Sequence, residues 1–110
     1  MTDDTRPAIR DNTAAHRFEM IVDRHAAVAT YSIAGDTITF IHTVVPESLR
    51  GRGIARELVE FALASVRRRG LKVVPQCEVF EAYMRKHAET HDLLADPTLF
   101  DSGAEAGRNP

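Results

Sequence analysis

The segment from Pro46 to Pro75 constrains the fold more than any other stretch of the chain. A polar, glycine-containing loop leads into one strongly amphipathic run, with Ile54, Leu58, Phe61, Ala62, Ser65 and Val66 on one face at helical spacing. The helix ends at about Arg69. Arg67, Arg68 and Arg69 suit the negative end of its dipole, and Gly70 supplies a residue able to take the left-handed cap. Leu71 to Val74 then forms a short apolar run bounded by Gly70 and Pro75, too short for a helix and suited to a buried strand. A strand before Pro46, this helix and that strand make a crossover, so the last strand returns parallel to the one before the loop.

Upstream, Phe18, Met20 and Val22 alternate with Arg17, Glu19 and Asp23, although Ile21 breaks the pattern; Ala26 to Ile33 is rich in β-branched residues. The Ala34-Gly35-Asp36 turn joins this run to Thr37 to Val45, where alternation puts Ile38, Phe40 and His42 on one face. An antiparallel meander of three strands follows. After the crossover, a second helix over about Glu78 to His87 collects Val79, Phe80, Tyr83, Met84 and His87 on one side. The expected fold is therefore α/β, a mixed sheet of about four strands with two helices. Residues 1–14 and 96–110 lack periodicity and read as a disordered N-terminal arm and a flexible C-terminal tail around a domain over 15–95.

A length of 110 residues suits one core. No stretch approaches the roughly 20 apolar residues of a membrane helix, and the polar start with Asp3, Asp4 and Asp11 does not resemble a secretory signal, so a cytoplasmic location is expected. Net charge is −2, yet Arg50 to Lys72 holds seven basic against two acidic residues. That local excess fits an anion site better than a nucleic-acid surface, which would push the whole domain basic.

The sequence Arg50-Gly51-Arg52-Gly53-Ile54-Ala55 follows a strand and opens a helix, where exposed backbone N–H groups bind phosphate. Gly51 and Gly53 let the backbone approach a pyrophosphate, and Arg50 and Arg52 add charge-assisted donors. No Lys-Ser or Lys-Thr pair follows, as a P-loop needs, and the third glycine of the dinucleotide fingerprint is missing. Arg50, Gly53 and Ala55 match the Gln/Arg-x-x-Gly-x-Gly/Ala signature, and the chain resembles the GNAT superfamily of acyl-CoA N-acyltransferases. It is most similar to a short subgroup in which His-Thr, a Pro, an Arg-Gly-Arg-Gly loop and Pro-x-Cys occur in order, here His42-Thr43, Pro46, Arg50 to Gly53 and Pro75-Gln76-Cys77.

The resemblance covers about residues 16–94. It implies acetyl-CoA as co-substrate with no metal, Val44 and Val45 beside the pantetheine arm, and Arg50, Gly51, Arg52, Gly53, Ile54 and Ala55 as the pyrophosphate cradle. It also implies a strand after the helix that splays from its neighbour to leave room for the thioester. Val44 stands where many relatives carry an acidic residue, and two final strands of the longer GNAT domains have no counterpart, which bears on the acceptor pocket.

Cys77, the single cysteine, is placed by the topology at the start of the second helix, a location that favours a thiolate able to accept an acyl group. The alternative is a buried apolar residue lining the acyl pocket. Tyr83 falls close to the tyrosine that in the family protonates the departing thiolate, or is a core aromatic. His42 offers a proton acceptor or a structural histidine, and a metal site from His87, His91 and Cys77 has a poor ligand pattern. The expected activity is acetyl transfer from acetyl-CoA to an amine of a small molecule or protein, by a monomer or weak homodimer. The competing expectation is a non-catalytic coenzyme A binding module.

Overall fold

Residues 8–100 are described by a computed structural model. Five strands, β1 (Ala8–Asn12), β2 (Arg17–Val22), β3 (His25–Ala34), β4 (Thr37–Val44) and β5 (Lys72–Pro75), form one sheet in the order β1-β2-β3-β4-β5. The first four are antiparallel to their neighbours and β5 runs parallel to β4. Helix α1 (Ile54–Arg69) makes the crossover, α2 (Glu78–Lys86) follows β5, and short 3-10 turns occupy Thr13–Ala15, Glu47–Leu49 and Ala88–Leu93. The mixed α/β architecture, the meander and the parallel return agree with the expected fold. The strand count rises from about four to five.

The added strand lies where a disordered arm was expected, and that reading is corrected from Ala8 onward. Its sequence carries one large apolar residue, Ile9, too few for a periodic signal. Polar side chains hold it instead. Glu19 of β2, only 5% exposed, accepts hydrogen bonds from Arg17 Nε (2.7 Å), Arg10 Nε (3.0 Å) and Asn12 Nδ2 (3.0 Å). Asp11 accepts from the buried Tyr31 hydroxyl at 2.6 Å and from Arg69 at 3.1 Å, tying β1 to β3 and to the end of α1. The tail reading is corrected as far as Phe100, which is buried beside His91 and beneath the Arg85 guanidinium. The rest of the expected arm and tail, residues 1–7 and 101–110, lies outside the described residues.

Both helices cover one face of the sheet. Phe18, Met20, Ala29, Tyr31, Ile38, Phe40 and Val73 are buried there, with Phe61 of α1 against Phe18 and Phe80 of α2 stacked on Phe40 at 3.9 Å. Gly70 closes α1 at φ 70°, its N–H and that of Leu71 returning to carbonyls of the last turn, the capping its position suggested.

Alternation along β4 is broken. Tyr31 pairs with Phe40 but Thr30 pairs with His42, which leaves Ile41 without a partner on β3, a β-bulge. One extra residue exchanges the faces of everything after it. Ile38 and Phe40 point into the core, whereas past the bulge Thr43 and Val45 turn inward, and His42 and Val44 are exposed on the uncovered face.

Candidate active site

β4 outlasts its partner. Lys72 N–H bonds to Asp36 O (2.8 Å) and Cys77 N–H to Phe40 O (2.9 Å), and strand pairing with β5 ends at Phe40 and Pro75. From His42 to Val44 the strand is paired only with β3, so its other edge has no strand partner and lies beside the start of α2. The bulge and the loss of pairing coincide within two residues. Together they leave the end of β4 without a strand partner on the side of α2.

The loop lies at the end of this open edge. Gly51 (φ 83°) and Gly53 (φ 75°) adopt left-handed backbone that L-residues rarely take, and Gly53 is the N-cap of α1 with no side chain capping the helix. The first-turn N–H groups therefore face a cavity of about 280 Å³ lined by Val45, Leu49, Arg50, Gly51, Gly53 and Ala55 among others. A Cβ on either glycine would meet nothing within 4 Å, so the space beside them is open. These features fit a pyrophosphate on the helix dipole. Ile54, 5% exposed, sends its side chain into the core, so only its backbone and that of Ala55 could serve a ligand. Arg50 Nε reaches the Val45 carbonyl at 3.4 Å, and Arg52 pairs with Asp23 of the β2–β3 turn at 2.9 Å; both are exposed contacts that a phosphate could displace.

Cys77 stands at the N-cap of α2, which also has no side-chain cap, and is 7% exposed. Its Sγ lies 3.1 Å from Thr43 Oγ1, across the gap between α2 and the open part of β4. Alternation continued from Ile38 and Phe40 would place Thr43 on the far face, and only the bulge brings it to the cysteine.

Tyr83 and His42 do not join this pair. The Tyr83 hydroxyl donates to Glu60 Oε2 of α1 at 3.0 Å, and its ring stacks on His87 at 3.8 Å. Partial burial and then the Glu60 carboxylate push its pKa above the usual phenol range, so it stays protonated at neutral pH. His42 was expected on the face of Ile38 and Phe40. The structure corrects this, because the bulge turns His42 to the uncovered face beside Thr30 and Val44, opposite Cys77. His87 Nδ1 and His91 Nε2 donate to the Tyr83 and Met84 carbonyls at 2.7 and 2.6 Å, which gives both a structural role. Among the described residues no three His, Cys, Asp or Glu side chains group as metal ligands, and no helix is long and apolar enough to cross a membrane.

Sequence reasoning gave no role to Thr43, which entered only within the His42-Thr43 motif, or to Glu60, which entered only as one of two acidic residues in the basic segment. No signal marked the bulge. A family model described as GCN5-related N-acetyl-transferase matches residues 17–93, from the first residue of β2 to the end of the last 3-10 turn. No curated protein matches the chain.

Proposed function

The chain belongs to the GCN5-related N-acetyltransferase family, and on that premise we propose that it moves an acetyl group from acetyl-CoA to an amine. The observation that carries this reading is the open edge of β4 running into the uncapped, double-glycine start of α1. In this reading the loop from Arg50 to Ala55 holds the pyrophosphate through backbone N–H groups, with Arg50 and Arg52 as charged partners. Val44 and Val45 offer backbone groups to the pantetheine arm.

Cys77 is the nucleophile in the route we favour. Thr43 accepts the thiol's hydrogen bond in the resting state, and once the thiol proton has passed to water, its hydroxyl can rotate and donate to the thiolate. The sulfur attacks the thioester carbonyl carbon, a new carbon–sulfur bond to Cys77 forms, the bond to the coenzyme A sulfur breaks, and the departing thiolate takes up a proton from solvent. The acceptor amine, as the free base, then attacks acetyl-Cys77, forming the amide bond as the bond from the acetyl carbon to the Cys77 sulfur breaks, and the proton lost by nitrogen returns the sulfur to the thiol. The uncapped first-turn N–H groups of α2 lie beside this sulfur and suit a developing oxyanion.

A second reading, a coenzyme A binding module without turnover, is favoured by the separation of Cys77, Tyr83 and His42 into three places. Acetyl-CoA with a panel of small amines and amine-bearing peptides, followed by release of free thiol, decides between them. Turnover above the rate in buffer supports the enzyme. Binding with no acceptor-dependent thiol release across neutral to alkaline pH supports the module.

A further inference from the structure

β5 closes one side of the sheet, and beside it lies a concavity of about 310 Å³ lined by Val73, Val74, Pro75, Ala95, Asp96 and Leu99. Val74 and Leu99 are 38% and 39% exposed, two of the five large apolar side chains open to solvent among the described residues, and here they share one groove. Asp96 is the single ionisable group of the lining. Thr98 donates to its Oδ1 through the hydroxyl at 2.7 Å and the backbone N–H at 3.0 Å, which holds the carboxyl below its ordinary range. Oδ2 has no partner among the described residues. Lys72, the one cation of β5, donates to the Asp92 carbonyl at 2.9 Å.

Backbone pairing does not suit this groove. Ala95 N–H already occupies Val73 O at 2.9 Å, Gln76 N–H occupies Val74 O at 3.0 Å, and Pro75 has no N–H, so an added strand would find no ladder. The patch is also too small for a second copy, because a stable interface takes about 20–30 residues a side. The tail over 101–110 offers no Val, Leu, Ile, Met or aromatic side chain to the apolar wall. An aliphatic stem that ends in a cation fits both the wall and the carboxylate. Pro75 stands two residues before Cys77, so the groove lines the segment that leads into the nucleophile. From the open Val74–Leu99 wall, the free carboxylate oxygen and the closed strand edge, and resting on the amine-acceptor reading above, we infer that the groove anchors the non-reacting end of the acceptor. The acceptor is then an alkyl diamine, its stem on Val74 and Leu99 and one ammonium on Asp96. That ammonium keeps its proton, and only the other nitrogen, as the free base, reacts.

Thiol-release kinetics with hexamethylenediamine, ω-aminohexanol and ω-aminohexanoate test this, since the three share a reactive amine and a stem and differ only in the charge of the far end. Amide NMR of the full chain adds a binding readout that needs no turnover. KM should be lowest for the diamine, about fivefold below that for aminohexanol once its two equivalent ends are allowed for, and highest for aminohexanoate, with kcat alike. Asp96→Asn keeps an oxygen for both Thr98 bonds, so it should melt with the parent, and it should level the three KM values. The diamine alone should shift the amides of Val74, Ala95 and Leu99. Equal KM values in the parent, or an order that survives Asp96→Asn, would overturn the groove assignment and leave acetyl transfer standing. If no amine releases thiol, the transfer reading and the acceptor role fall together. The amide shifts then decide the groove alone: their presence keeps it as a diamine site, and their absence at tens of millimolar diamine overturns it.

Discussion

Gly53→Ala separates what the loop needs in order to fold from what it needs in order to bind. Gly53 is the α1 N-cap at φ 75°, and a Cβ built there meets no atom within 4 Å. Steric clash thus contributes nothing in the free protein, and the cost is that of an L-residue in left-handed backbone, about 1–2 kcal/mol. For a domain of this size that corresponds to a fall in melting temperature of about 5–10 °C. The open space around the added methyl belongs to the cavity assigned to the pyrophosphate, so affinity for coenzyme A should fall a further tenfold or more, about 1.4 kcal/mol. Gly35→Ala is the control for strain, since Gly35 has φ 62°, equally open surroundings and a place in the β3–β4 turn. Thermal melts of both variants should shift by similar amounts, and calorimetry should show weakened coenzyme A binding in Gly53→Ala alone. Equal coenzyme A affinity in the two variants would refute the reasoning.

The Arg17 guanidinium, then Asn12 and Arg10, hold the Glu19 carboxyl down at about 2, from an ordinary 4.5. A depressed carboxylate stabilises the fold above its unfolded value and loses that contribution as pH falls from 4.5 toward 2. With Arg10 and Arg17 exposed and screened, Glu19→Gln should cost about 1–2 kcal/mol at pH 7 in chemical denaturation, and the gap should close near pH 2; a gap independent of pH would contradict this. Incubation with acetyl-CoA should add one acetyl mass that maps to Cys77 and is removed by hydroxylamine, and Cys77→Ala should bind coenzyme A but lose the label and most turnover. Full turnover in that variant would make Cys77 pocket lining. Tyr83→Phe should lose about 1 kcal/mol of stability with the Glu60 hydrogen bond and keep turnover within about threefold, whereas a loss of about 100-fold or more would make Tyr83 a general acid.

Regular periodicity made the meander, α1 and the parallel return readable, because each buries one face with a pattern that holds over most of its length. Glycine supplied the ends of α1, since both Gly53 and Gly70 take backbone that few other residues tolerate. What stayed hidden rests on tertiary contacts between polar groups. β1 is held by Glu19 and Asp11, side chains that look solvated until their partners on other elements are placed. The bulge at Ile41 has no composition of its own. It inverts the faces of His42 and Thr43, so the histidine that alternation pointed inward is exposed and the threonine that meets Cys77 was passed over.

Backbone amide NMR during a coenzyme A titration tests most directly whether the ligand lies across the open edge of β4 and the start of α1. The account predicts saturable shifts concentrated at Val44, Val45, Gly51, Gly53 and Ala55, extending to Cys77. The absence of shifts at millimolar coenzyme A, or shifts confined to the uncovered sheet face around Ile21 and Thr30, would contradict it.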